Sequence, residues 1–114
     1  MNVLISIKDL NEGYADTVEV RDISDISRFS YLDSEGCLCV MEVVDDGISL
    51  SREASDHRTE AVLKEGGYLK ITGPEGTFKF SLKAIEISRN NDIITVVYSI
   101  DSVTKCIEIK YIGV

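Results

Sequence analysis

The chain has 114 residues, which suits one domain spanning 1–114 and leaves little room for a second core. Apolar residues make up 44% and charged residues 28%, a globular composition that excludes disordered and fibrous classes. Twelve Lys and Arg against twenty Asp and Glu give a net charge of −8. That balance speaks against nucleic-acid binding, because nothing offsets the repulsion from a phosphate backbone.

Period-two alternation of apolar and polar residues runs from end to end. Val3, Ile5 and Ile7 mark a first strand, and Val18 and Val20 a second. Between 22 and 28, Ile23 and Ile26 lie three apart, enough for one helical turn at most. Phe29 and Tyr31 carry a third strand, ended by Asp33-Ser34-Glu35-Gly36. Residues 37–44 are apolar at nearly every position, as expected of a strand buried on both faces. Asp45-Asp46-Gly47 then predicts a tight hairpin turn, since Asp-Gly tolerates the positive φ of primed turns.

Ile48 and Leu50 alternate with serines, and Ala61 and Leu63 with Glu60 and Lys64. Gly66-Gly67 turns the chain into Leu69 and Ile71, and Gly73-Pro74-Glu75-Gly76 is a second turn built on the preset φ of proline. Phe78, Phe80 and Leu82 alternate with Lys79, Ser81 and Lys83, but the phase slips at Ala84-Ile85. A slip inside one long strand predicts a β-bulge. Asn90-Asn91-Asp92 leads into Ile94, Val96, Tyr98 and Ile100, and Ile107, Ile109 and Tyr111 mark the last strand.

With no helix to cover a sheet, such strands either roll shut or pack as two layers. Short turns between neighbours favour an antiparallel up-and-down meander, and closure would remove hazardous edges. The expectation is therefore an all-β closed barrel of about 8–10 strands. The apolar opening, residues 1–8, lacks a basic region before it, and no run approaches the roughly 18 residues of a membrane span. An odd number of cysteines (Cys37, Cys39, Cys106) suits a reduced, cytoplasmic setting.

Ile48-Ser49-Leu50-Ser51-Arg52, Glu65-Gly66 before a short strand, and Gly76 leading into residues 77–87 form one set of motifs. Ile94-Thr95-Val96-Val97-Tyr98-Ser99-Ile100 and the closing strand 106–112 complete it. Together they resemble the YwiB-like family of small, uncharacterised bacterial proteins, over the C-terminal two-thirds best. The resemblance implies a calycin-like, lipocalin-like β-barrel and no settled activity. The chain departs from the family around residues 43–47, at Glu53, and at Gly73-Pro74-Glu75-Gly76.

Few residues point to chemistry. Arg52 continues the Ile48–Leu50 face, so a regular strand aims its guanidinium inward; a buried Arg needs a carboxylate or an anionic ligand. The opposing reading is a rim Arg packed over an aromatic, or paired with Glu53, Asp56 or Glu60 after a local twist. Ser55-Asp56-His57-Arg58 gathers hydroxyl, carboxylate and the one imidazole, but consecutive side chains diverge, and a solvated loop is expected. Cys37, Cys39, Cys106 and His57 lack the short knuckle spacing of a zinc site, so no metal and no cofactor are expected. The acidic turns lack calcium-loop spacing, and Gly73-Pro74-Glu75-Gly76 is no phosphate loop.

Two functions stay open. In the first, the barrel lumen binds a small apolar or amphipathic ligand, with Arg52, Tyr31, Phe80, Tyr98 and Tyr111 as the candidate binding residues. In the second, side chains fill the barrel, and an outer patch of Leu38, Val40, Ile93 and Val97 supports a protein partner or a homodimer. Neither reading is enzymatic.

Overall fold

In a computed structural model, which describes residues 1–113, the chain forms eleven strands and no helix. In order these are β1 (Asn2–Asp9), β2 (Tyr14–Val20), β3 (Arg28–Leu32), β4 (Leu38–Val44), β5 (Gly47–Glu53) and β6 (Arg58–Leu63). They continue with β7 (Tyr68–Gly73), β8 (Gly76–Ser81), β9 (Ala84–Arg89), β10 (Ile93–Ile100) and β11 (Val103–Gly113). Among the described residues no helix is long and apolar enough to cross a membrane. The alternation marks real strands, most of which have one face to bury and one to leave wet, although β8 is exposed along its whole length, Phe78 and Phe80 included.

The expected barrel does not close. The strands form two antiparallel sheets, one of five in the order β2-β1-β11-β10-β9 and one of six in the order β3-β4-β5-β6-β7-β8. Every pairing except β1 with β11 joins neighbours in sequence, so the meander is present. What is missing is a hydrogen-bonded ladder at two seams, β2/β3 and β8/β9.

Each seam has a local cause. Residues 21–27 separate β2 from β3, and Ile23 drops from this segment into the core. The Ile23 amide donates to the carbonyl of Met1, just before β1 of the five-stranded sheet (2.8 Å), and the Val43 amide of the other sheet donates to the Ser27 carbonyl (2.9 Å). The three-residue spacing of Ile23 and Ile26 thus belongs to a plug at one end, not to a helix. At the second seam, the residues expected to form one bulged strand are two strands in different sheets. The Leu82 amide donates to Gly67 in the β6–β7 turn (3.2 Å), whereas the next amide, Lys83, donates to Ser99 of β10 (2.9 Å). The phase slip is a corner at which the chain changes sheets.

Beyond that corner, β9 runs toward the β4–β5 turn. There the Arg89 guanidinium reaches the carbonyls of Val44 and Gly47, tying the two sheets together at this end. The buried side chains of both sheets make one core, including Ile5, Val96 and Ile107 from one and Met41, Ile48 and Leu63 from the other.

Two further expectations fail for the same geometric reason. β4 is buried on one face only: Cys39 and Met41 point into the core, while Leu38 stays 49% exposed, because no third layer covers the outside. Leu38 and Val40 face out from the six-stranded sheet, and Ile93 and Val97 face out from the five-stranded one. These four side chains do not form a single patch. The Asp45-Asp46 turn joins β4 and β5 as expected, but Gly47 has no positive φ. Glycine is required there for space, since a Cβ would lie 2.1 Å from the Leu63 carbonyl oxygen.

Candidate functional site

An open cleft of about 500 Å³ lies between the sheets toward the end that carries the β1–β2, β3–β4 and β5–β6 turns. Its apolar walls come from inward positions on both sheets: Ile5, Ile7, Val18 and Ile107 on one side, Leu50, Ala61, Leu69 and Ile71 on the other. Charged residues ring the mouth: Asp9 and Asp16 at the β1–β2 hairpin, Asp33 and Glu35 after β3, Arg52 on β5 and Lys105 on β11.

Arg52 points inward, as its place in the alternation predicts, but it is already engaged. Its Nε donates to Asp33 Oδ2 at 2.5 Å and its Nη2 to Glu35 Oε2 at 3.0 Å. Neither partner was among the carboxylates considered from sequence, and the pairing resembles the rim reading more than an anion receptor. Asp33 is the organiser of this corner. Its Oδ1 accepts the amides of Glu35 (3.0 Å) and Cys37 (2.9 Å), which fixes the tight loop between β3 and β4. Burial pushes the Asp33 carboxyl up, but the bonds from Arg52 and these two amides, with the Arg52 charge, outweigh it and hold the group below its ordinary range. The same pairing raises the Arg52 guanidinium, so it stays charged at any relevant pH.

Tyr31 and Tyr98 face each other's sheets across the cleft wall. Tyr31 packs against Phe29, ring centroids 6.1 Å apart. Burial, then the neighbouring Cys39 and the carboxylates of Asp33 and Asp16, push its hydroxyl above the ordinary tyrosine range. Tyr98 keeps only 8% of its surface accessible, and burial alone pushes its hydroxyl up to about 12. The Cys39 thiol, pushed up to about 11 chiefly by burial, is no activated nucleophile.

Of the five candidate residues, the structure brings three together: Arg52, Tyr31 and Tyr98 all line this cleft. Phe80 does not; it sits on the edge strand β8, 37% exposed. Tyr111 lines a smaller hollow with Met1, Val3 and Ile26, at the end plugged by Ile23. Reasoning from sequence missed Asp33, Glu35, Thr59 and Lys105, and treated Asp16 only as one of the acidic turn residues. Asp33 and Glu35 were legible only as turn formers, and nothing local marks their approach to Arg52.

The other polar clusters stay apart from the cleft. The His57 Nδ1 lies 2.8 Å from Asp56 Oδ1 in the exposed β5–β6 loop, and this contact lowers the Asp56 carboxyl. Cys106 lies on the five-stranded sheet, away from Cys37 and Cys39, and no group of three metal-ligating side chains occurs among the described residues.

No family model and no curated protein sequence matches the chain. Among solved structures it is similar to the crystal structure of the ywiB protein from Bacillus subtilis, at 14% identity and a TM-score of 0.41, with 99% of this chain and 90% of that one covered. The calycin-like closed barrel attached to the resemblance of the sequence motifs is not what these two sheets form.

Proposed function

We propose that this chain is a non-catalytic binding module that takes the apolar part of a small amphipathic molecule between its two sheets. The cleft carries this reading. Its volume of about 500 Å³ lies within the range of small-molecule sites, and its walls are apolar with a few polar groups converging at the mouth. A sandwich of this size has no packing need for such an opening, because inward residues large enough to fill it would bury more apolar surface.

Titration of the full chain with 1-octanol, followed by amide chemical shifts, tests the reading. Shifts are expected to cluster at Tyr31, Ala61, Ile71 and Tyr98. Thr59 sits on the inward face between Arg52 and Ile71 and is half-buried, so Thr59→Trp fills the mouth without cutting the core. Its expected effect is at least a tenfold loss of octanol affinity, the burial of about two methylenes at ~0.8 kcal/mol each. Shifts spread over the whole surface, or an affinity indifferent to Thr59→Trp, would overturn the reading.

A further inference from the structure

We infer that β8 takes an acidic, extended peptide segment of a partner protein as a seventh strand of the six-stranded sheet. This edge lies outside the cleft, so peptide binding and octanol binding stand or fall separately.

The backbone offers the ladder. β8 is an edge strand, bonded to β7 alone among the described residues. The Leu82 amide bonds Gly67, one step beyond the Tyr68–Ser81 pair. Bonded pairs alternate along an antiparallel ladder, so Phe80 and Phe78 exchange bonds with Leu69 and Ile71. The amides and carbonyls of Thr77, Lys79 and Ser81 therefore point away from β7, a row that a further strand can use. The chain itself places none there, since the next strand, β9, belongs to the other sheet.

The apolar side chains also ask for a neighbour. Phe78 and Phe80 share the inward face of Ile71 and Leu69, yet they are 54% and 37% exposed. Leu69 and Ile71 line the cleft, so the two rings carry that apolar wall out to the edge of the sheet. A guest strand would lay its own apolar residues beside them, the cross-strand contact that stabilises a sheet.

Charge names the guest. Residues 68–83 hold three lysines and one glutamate, against nine basic and nineteen acidic residues in the rest of the chain. Lys70 and Lys79 stand directly opposite each other on the outer face, where like charges repel. Lys79 rests over the Tyr68 ring at 4.2 Å, and none of Lys70, Lys79 and Lys83 makes an ion pair among the described residues. A carboxylate on a guest strand opposite Lys79 would relieve that repulsion. A second copy of β8 would instead bring the same lysines, and with them a further net charge of −8. Edge lysines guard a sheet against such self-pairing, and the same lysines favour an acidic guest.

The test is a titration of the full chain with the peptide acetyl-Thr-Glu-Val-Glu-Val-Glu-Thr-amide, followed by amide chemical shifts and by fluorescence anisotropy of a labelled form. The largest shifts are expected at Thr77, Lys79 and Ser81, whose amides should also exchange more slowly once the peptide is bound. Lys79→Glu, at an exposed outer position, should weaken binding about tenfold, as an attraction becomes a repulsion. The same peptide with lysine for each glutamate should reverse the order, binding the Lys79→Glu variant more tightly than the parent chain. Methylating the three glutamate amides should abolish binding, because in an antiparallel pair these are the amides that face β8. Shifts centred on another strand, indifference to the charge swap, full affinity of the methylated peptide, or binding of neither peptide would overturn the inference. So would a dimer of the chain alone that the acidic peptide disperses, since the edge would then belong to a second copy.

Discussion

Gly67→Ala is expected to lower the stability of the fold by about 3 kcal/mol or more, a large share of what a domain of this size has. The reason is space and not backbone freedom, for Gly67 has no positive φ. A Cβ there would fall 1.9 Å from the Val62 carbonyl oxygen and 2.8 Å from that of Lys64, so backbone atoms would have to move. The movement would spread. The Gly67 amide closes the β6–β7 turn on Lys64, and its carbonyl receives the Leu82 amide at the corner where the chain leaves the six-stranded sheet. The adjacent Gly66 is the natural control. It has φ +77 with nothing within 4 Å of a built Cβ, so Gly66→Ala carries conformational strain alone, about 1 kcal/mol. Urea unfolding of the two variants separates the mechanisms. A Gly67→Ala loss no larger than that of Gly66→Ala would show that the turn yields easily and that the corner does not depend on it.

That glycine also illustrates what the sequence discloses. Gly66-Gly67 is legible as a turn, and so are most strands, because Val3-Ile5-Ile7 or Ile107-Ile109 need only one buried face to write a period of two. Tyr14-Ala15-Asp16 is not legible as strand. It pairs with Ile7, Lys8 and Asp9 in the β1–β2 hairpin, yet carries no apolar alternation, since Asp16 and Tyr14 line the open mouth and not the core. The slip at Ala84-Ile85 reads the same for a bulge as for a change of sheet, because either one switches which face is inward. Only the distant partners of Leu82 and Lys83, Gly67 and Ser99, distinguish them. Barrel and two-sheet stack share a meander, and the missing ladders at the two seams are properties of space that no local pattern records. Arg52 shows the same limit within the site. Its inward direction follows from Ile48 and Leu50, but its partners arrive from a loop 17 and 19 residues earlier in the chain.

Loss of the Asp33 side chain is the second large effect expected. Asp33→Ala should lower stability by about 2–4 kcal/mol, because it removes two amide bonds within the β3–β4 loop together with the partner of a half-buried guanidinium. Arg52→Met should lower it less, since it spares the two amides and keeps an apolar stem on β5. The double variant then reports the pair itself, with a coupling of about 1 kcal/mol or more expected between groups in direct contact. Acid gives an independent reading of the same contact. The Asp33 carboxyl is held below its ordinary value near 3.9, so the folded state prefers it ionised. Its contribution is fully present above that value and is lost as the pH falls through the lower folded one. Asp33→Asn keeps an oxygen for the two amides but has no charge to lose. The stability gap between the parent chain and the Asp33→Asn variant should therefore be constant from about pH 7 to about pH 5 and close below about pH 4. A gap that stays open in acid would mean that Arg52 is bound to Asp33 by geometry alone, and that the charge of this corner contributes nothing to holding the loop against β5.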